Sequence, residues 1–138
     1  MSPRHLAGVW GGALIVALGD VSGKGVPAAL YSAAIGEMVR GRTFRRRLEK
    51  KSSTPAEVLA GMNRILHERN LEEYYCTLCY AMFEFKKHQV TFANSGLPFP
   101  VRYSNGRAEQ IQMPGGMMFP SRSTFCRRFI ENDGCLSA

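Results

Sequence analysis

Residues 12–18, Gly-Ala-Leu-Ile-Val-Ala-Leu, form a short continuous apolar run. Such a run fits a strand buried on both faces. It ends in residues 19–25, where Gly19, Gly23 and Gly25 crowd three glycines into seven residues, which predicts a tight turn. Val26 and Pro27 then open a helix, with proline suited to its first turn. Small and apolar side chains from Ala28 to Val39 continue that helix and imply close packing. A second helix starts at Thr54: the threonine can cap it, Pro55 fits the first position, and Glu57 completes a capping box. Val58, Leu59, Met62, Ile65 and Leu66 then recur on one helical face. After Asn70 the period changes to two. Residues 75–85 and 89–93 read as strands of a hairpin around Lys86, Lys87 and His88. Two further short strands are expected at 98–103 and 108–113, around Ser104-Asn105-Gly106. From Pro114 onward no period survives, and no last element is expected. One strand, two helices and a run of antiparallel strands predict an α+β layered domain.

The 138-residue length allows one domain with a modest core. A hydrophobic content of 45% and a charged content of 21% are those of a globular chain rather than a disordered one. The run from Leu6 to Leu18 follows Arg4 and His5, as in a signal peptide. It is too short to span a membrane, has imperfect signal-peptide flanks, and leads straight into the glycine turn, so a buried strand is the better reading. The formal charge of +7 is local: residues 40–51 carry +6 of it. This stretch reads as a helix end or linker, because charge runs are commonly solvated. It holds one aromatic, Phe44, and no base-reading module, so no nucleic-acid partner is expected. Cys76 and Cys79, three apart in a strand, point to opposite faces. Cys126 and Cys135 lack zinc spacing. Reduced thiols and a cytoplasmic location are expected.

Asp20 lies between the apolar strand and the glycine turn. A carboxylate held there, half desolvated, is costly unless it is paired or binds a cation. Hard divalent ions such as Mg²⁺ or Mn²⁺ take carboxylates and backbone carbonyls. Asp20 and the Val21 carbonyl are therefore candidate ligands. Gly23 and Gly25 allow a phosphate to approach closely, and Lys24 adds a positive charge. The bland reading is an aspartate that only orders its own turn. A nucleotide-binding P-loop does not fit, since its spacing and its Ser or Thr are absent.

Residues 19–30, Gly-Asp-Val-Ser-Gly-Lys-Gly-Val-Pro-Ala-Ala-Leu, resemble the signature of the SpoIIE/RsbU branch of metal-dependent, PPM-type serine/threonine phosphatases. The helix start Thr54-Pro55-Ala56-Glu57, with Asn63, and the strand from Tyr75 to Ala81 are similar to that branch as well. Ala93-Asn94-Ser95-Gly96-Leu97-Pro98 resembles a family turn in which histidine is common where Leu97 stands. The resemblance implies a PPM-type layered β-sandwich flanked by helices, incomplete here. Residues 1–113 would be a partial phosphatase domain, truncated at both ends, and residues 114–138 an irregular tail foreign to the fold. It also implies two Mn²⁺ or Mg²⁺ ions, with Asp20 as a catalytic ligand. The substrate would be a phosphoprotein of bacterial signalling, such as an anti-sigma-factor antagonist. No membrane span is expected.

The family pattern calls for two more carboxylates. Residues 1–11 contain no Asp or Glu, and the one late Asp-Gly is Asp133-Gly134, in a stretch without strand pattern. Asp133 is thus the weak candidate for the missing ligand. One aspartate and one carbonyl hold two divalent ions poorly, so low activity is expected. The alternative is a non-catalytic remnant that binds a partner through the same surface.

Overall fold

The computed structural model describes residues 4–10, 12–48, 53–69, 74–111 and 125–130. The chain is α+β. Five antiparallel strands form one sheet in the order β1 (Arg4–Trp10), β2 (Ala13–Val21), β3 (Cys76–Glu84), β4 (Gln89–Ser95) and β7 (Phe125–Ile130). A separate two-stranded sheet consists of β5 (Val101–Ser104) and β6 (Arg107–Gln110). Helices α1 (Gly25–Leu48) and α2 (Pro55–Glu68) lie between β2 and β3 in sequence.

Both helices pack on one face of the sheet. Alternate residues of the central strands point at them: Ala13, Ile15, Ala17 and Val21 from β2, and Cys76, Leu78, Tyr80 and Met82 from β3. These join Tyr31, Ile35 and Val39 of α1 and Val58, Leu59, Met62 and Leu66 of α2 in one core. Helix α2 begins as its sequence dictates. The Glu57 amide donates to the Thr54 hydroxyl at 3.2 Å, and the Thr54 amide donates to Glu57 Oε2 at 2.8 Å. The two helices are tied together by Arg42, whose Nη2 donates to the Gly61 carbonyl at 3.0 Å. Its guanidinium fills the space that a Gly61 side chain would take. Thr43, also buried, donates to the Val39 carbonyl at 2.8 Å and meets the Tyr80 hydroxyl at 3.1 Å.

Several boundaries differ from the pattern-based reading. The apolar run from Leu6 to Leu18 is two strands rather than one: it folds as the β1–β2 hairpin, with Gly12 at φ +82° in its turn. Apolar residues on both sides of the hairpin hide that turn from any periodicity argument. Strand β2 extends through Asp20 to Val21, so the turn proper is residues 22–24. Helix α1 carries the basic stretch as far as Leu48, because arginines are good helix formers and Val39 and Thr43 keep one side of it buried. Strand β5 starts at Val101 rather than 98, and β6 covers Arg107–Gln110 rather than 108–113. Past residue 113 no strand is expected from the pattern, yet Phe125–Ile130 pairs with β4 over six residues. The two adjacent arginines, Arg127 and Arg128, break the alternation there, and pairing to a neighbouring edge overrides that weak local signal.

Candidate metal and phosphate site at the glycine turn

The register of the sheet builds the site. Asp20 pairs with Thr77 of β3, and two residues back Leu18 pairs with Cys79, which in turn pairs with Asn94 of β4. The turn after β2 and the turn after β4 therefore share one end of the sheet, two strand spacings or about 10 Å apart. By strand alternation Asp20 lies on the face away from the helices.

Asp20 is exposed, which corrects the expectation of a half-desolvated carboxylate. Its Oδ1 accepts a hydrogen bond from the Val21 amide at 3.1 Å, and its carbonyl accepts from the Thr77 hydroxyl at 3.4 Å. Val21 is buried at the end of β2, while Gly23, Lys24 and Gly25 are exposed around the turn. Gly23 and Gly25 have φ of +96° and +77°, a backbone that glycine adopts without strain. The five candidates from Asp20 to Gly25 thus stand together on one short segment. Asp133, the sixth, lies outside the described residues.

The turn is gripped from β3. The Ser22 amide donates to the Tyr75 carbonyl at 2.8 Å, and the Tyr75 amide donates to Ser22 Oγ at 2.8 Å. The Tyr74 ring lies against Gly23 so closely that a side chain there would sit 2.8 Å from Cε1. Sequence reasoning missed Ser22, Tyr74, Tyr75 and Thr77 as parts of the site. Ser22 and Tyr75 are 53 residues apart, and register alone brings them together.

The second turn is ordered by Asn94. Its Nδ2 donates to the Leu97 carbonyl at 2.8 Å, its Oδ1 accepts from the Leu97 amide at 3.2 Å, and Gly96 has φ +82°. On the helix side of the sheet, Ser32, Gly36, Cys76 and Leu78 help line a cavity of about 30 Å³. That volume holds about one water, too little for a phosphate group. Cys76 beside it is fully buried and has a free thiol. Burial, and secondarily the Asp20 charge, push this thiol up to about 12. Burial also pushes Cys79 up to about 11. Neither thiol is therefore a thiolate nucleophile near neutral pH.

A single exposed carboxylate fits one ligand position of a hard cation. Two such ions take more carboxylates than this, and among the described residues no group of three or more His, Cys, Asp or Glu gathers anywhere. The described residues therefore do not by themselves fit a two-ion centre.

Sequence and fold place the chain in a known class. The profile described as "Stage II sporulation protein E (SpoIIE)" matches residues 11–125. The chain belongs to this family, and its fold is an incomplete, SpoIIE/RsbU-type PPM domain. It is 32% identical over 81 residues to the "Phosphoserine phosphatase RsbU" of Bacillus subtilis (strain 168), covering 59% of this chain and 22% of that protein. The crystal structure of the RsbU and RsbW domains of Rv1364c from Mycobacterium tuberculosis superposes with a TM-score of 0.80. That likeness covers 96% of this chain and 36% of the other at 22% identity, and it speaks for the fold alone. The chain thus spans under a quarter of the curated relative and just over a third of the structural neighbour. Among the described residues no helix is long and apolar enough to cross a membrane.

Proposed function

We propose that this chain carries part of the catalytic surface of a metal-dependent phosphatase that hydrolyses phosphoserine or phosphothreonine in a bacterial signalling protein. The substrate is of the sigma-factor regulation type, such as an anti-sigma-factor antagonist. The observation that carries this reading is the exposed Asp20 carboxylate at the lip of a turn whose Gly23 and Gly25 have positive φ. Membership of the SpoIIE family and the name of the RsbU relative support the reaction class.

Each residue has a defined task in this reading. Asp20 offers one carboxylate to a Mn²⁺ or Mg²⁺ ion, and the Val21 carbonyl is the backbone ligand beside it. Gly23 and Gly25 keep side chains out of the path of a phosphoryl group. The Lys24 ammonium, exposed beside them, attracts the phosphoryl dianion. Bound metal would supply a water of lowered pKa and neutralise phosphoryl oxygens. With one carboxylate among the described residues of the site, catalysis by this chain alone is weak, and Asp133 is the further ligand to examine.

A phosphatase assay on a phosphoserine protein with Mn²⁺ tests this, comparing the chain with Asp20→Asn. The expected result is slow, Mn²⁺-dependent release of phosphate that Asp20→Asn abolishes. Turnover matching a full-length relative would refute the impairment, and turnover unchanged in Asp20→Asn would refute the site. The second reading, a partner-binding remnant without catalysis, is favoured by the absence of a carboxylate cluster among the described residues. It predicts that saturating Mn²⁺ leaves the melting temperature unmoved, whereas a ligand at a hundred times its Kd adds about 2.7 kcal/mol.

A further inference from the structure

The glycine turn borrows its shape from a tyrosine far along the chain. The Tyr74 ring lies on Gly23, with Cε1 and Cδ1 2.8 and 3.0 Å from where a side chain would begin. The ring also pairs with that of Tyr31 at a centroid distance of 5.6 Å and a tilt of 44°. Tyr31 is itself buried in the core with Ile35 and Val39 of α1. The next residue along, Tyr75, exchanges two backbone-length hydrogen bonds with Ser22. Residues 74 and 75 thus hold both Ser22 and Gly23, while Asp20 stands just upstream with its carboxylate on the Val21 amide.

We propose that Tyr74 is a positioning residue for Asp20: wedged against Gly23 and paired with Tyr31, it fixes the glycine turn and so the direction of the carboxylate. A residue of this kind touches neither substrate nor metal. It selects one conformer of a segment whose glycines would otherwise visit many. The wedge also gives two letters of the motif a reason. Ser22 supplies the acceptor for the Tyr75 amide, and Gly23 leaves room for the ring. Edge-to-face and tilted ring contacts of the Tyr31–Tyr74 kind favour a defined orientation over free rotation, so the wedge transmits the position of α1 to the turn. The proposal rests on the reading of the Asp20 turn as the phosphatase site.

The test compares wild type with Tyr74→Ala and Tyr74→Phe by amide hydrogen exchange without metal, residue by residue. In Tyr74→Ala the hydrogen-bonded amides of Val21 and Ser22 should exchange at least about tenfold faster, while those of α2 and the centre of β3 stay within about threefold, since local opening separates from global unfolding. Tyr74→Phe keeps the ring and should match wild type. Turn exchange in Tyr74→Ala equal to wild type would overturn the proposal, as would a Tyr74→Phe variant as loose as the alanine. If Tyr74→Ala loses core protection throughout, Tyr74→Leu, which keeps apolar bulk against Tyr31 without a flat ring on Gly23, is read by the same criteria. A titration with MnCl₂, followed by line broadening of the turn amides, separates the two readings. No broadening in wild type, or equal broadening in Asp20→Asn, refutes the metal reading of the turn, while the exchange data decide the role of Tyr74.

Discussion

Replacing Asn94 by alanine should cost about 2 kcal/mol, and the structure shows where that figure comes from. The side chain is 4% exposed and makes both a donor and an acceptor bond to the backbone of Leu97. Each such bond contributes a net 0.5–1.5 kcal/mol, roughly. Leu97 is only half-buried, so water can reach its amide and carbonyl in the variant, which removes most of the penalty for unpaired groups and leaves about 2 kcal/mol. For a domain of this size that is a fall in melting temperature of roughly 7 °C. Asn94→Asp is the sharper probe. It retains the acceptor for the Leu97 amide but sets a carboxylate oxygen against the Leu97 carbonyl, now 2.8 Å from the amide nitrogen. At neutral pH it should be at least as unstable as the alanine variant. It should recover part of the loss below the carboxyl pKa, where the protonated acid can donate to that carbonyl. Urea unfolding at two pH values, with the slope checked for constancy, gives both numbers. An alanine variant within about 2 °C of wild type would refute the assignment of the turn's order to Asn94.

The buried thiol makes a pH prediction. Cys76 is raised from 9.0 to about 12 in the fold, so the folded state holds its proton more tightly than the unfolded chain does. Its contribution to stability is complete below pH 9 and is lost as pH rises from about 9 towards 12, at a slope on the order of 1 kcal/mol per pH unit. Tyr31, raised from 10.0 to about 12, adds a loss of the same sign that begins about one unit higher. Urea midpoints at pH 8, 9 and 10 should therefore fall more steeply in wild type than in Cys76→Ala, and parallel curves would refute the effect. Thr54→Ala removes the cap of α2 and should cost about 1 kcal/mol; Glu57→Gln, which can keep the reciprocal bond to the Thr54 amide, should cost less, and the two thermal melts rank them.

Legibility in the sequence tracks how local each signal is. The start of α2 was readable because every part of it lies within four residues: cap, proline and returning glutamate are all observed. The apolar stripe of α2 was readable for the same reason, and four of its five positions are buried in the core. Asp20 and its glycines were readable because the motif is contiguous. What escaped depends on distance along the chain. Strand β1 hides inside an apolar run whose turn has no polar residue. Strand β7 has a broken pattern and exists through its pairing with β4. Of the residues that hold the glycine turn, Tyr74 carries no motif, and Tyr75 opens a family-like strand whose pattern does not say that it meets Ser22.

The same distinction separates lineage from chemistry at Asp20. The contiguous motif brings with it the local features on which the proposed reading rests: two positive-φ glycines, an exposed lysine between them, and a carboxylate open to solvent. Those features are local, and they follow from a dozen residues. Holding two divalent ions is not local. It takes carboxylates delivered by other strands to the same end of the sheet, as the register delivers Thr77 beside Asp20 and Asn94 two strands away. In the described residues those neighbouring positions carry a hydroxyl and an amide, both already bonded to backbone. An acid that would complete the proposed centre therefore does not come from these two positions. On the proposed phosphatase reading, catalysis would thus require a second carboxylate to reach Asp20, whereas the order of the turn can be measured without it.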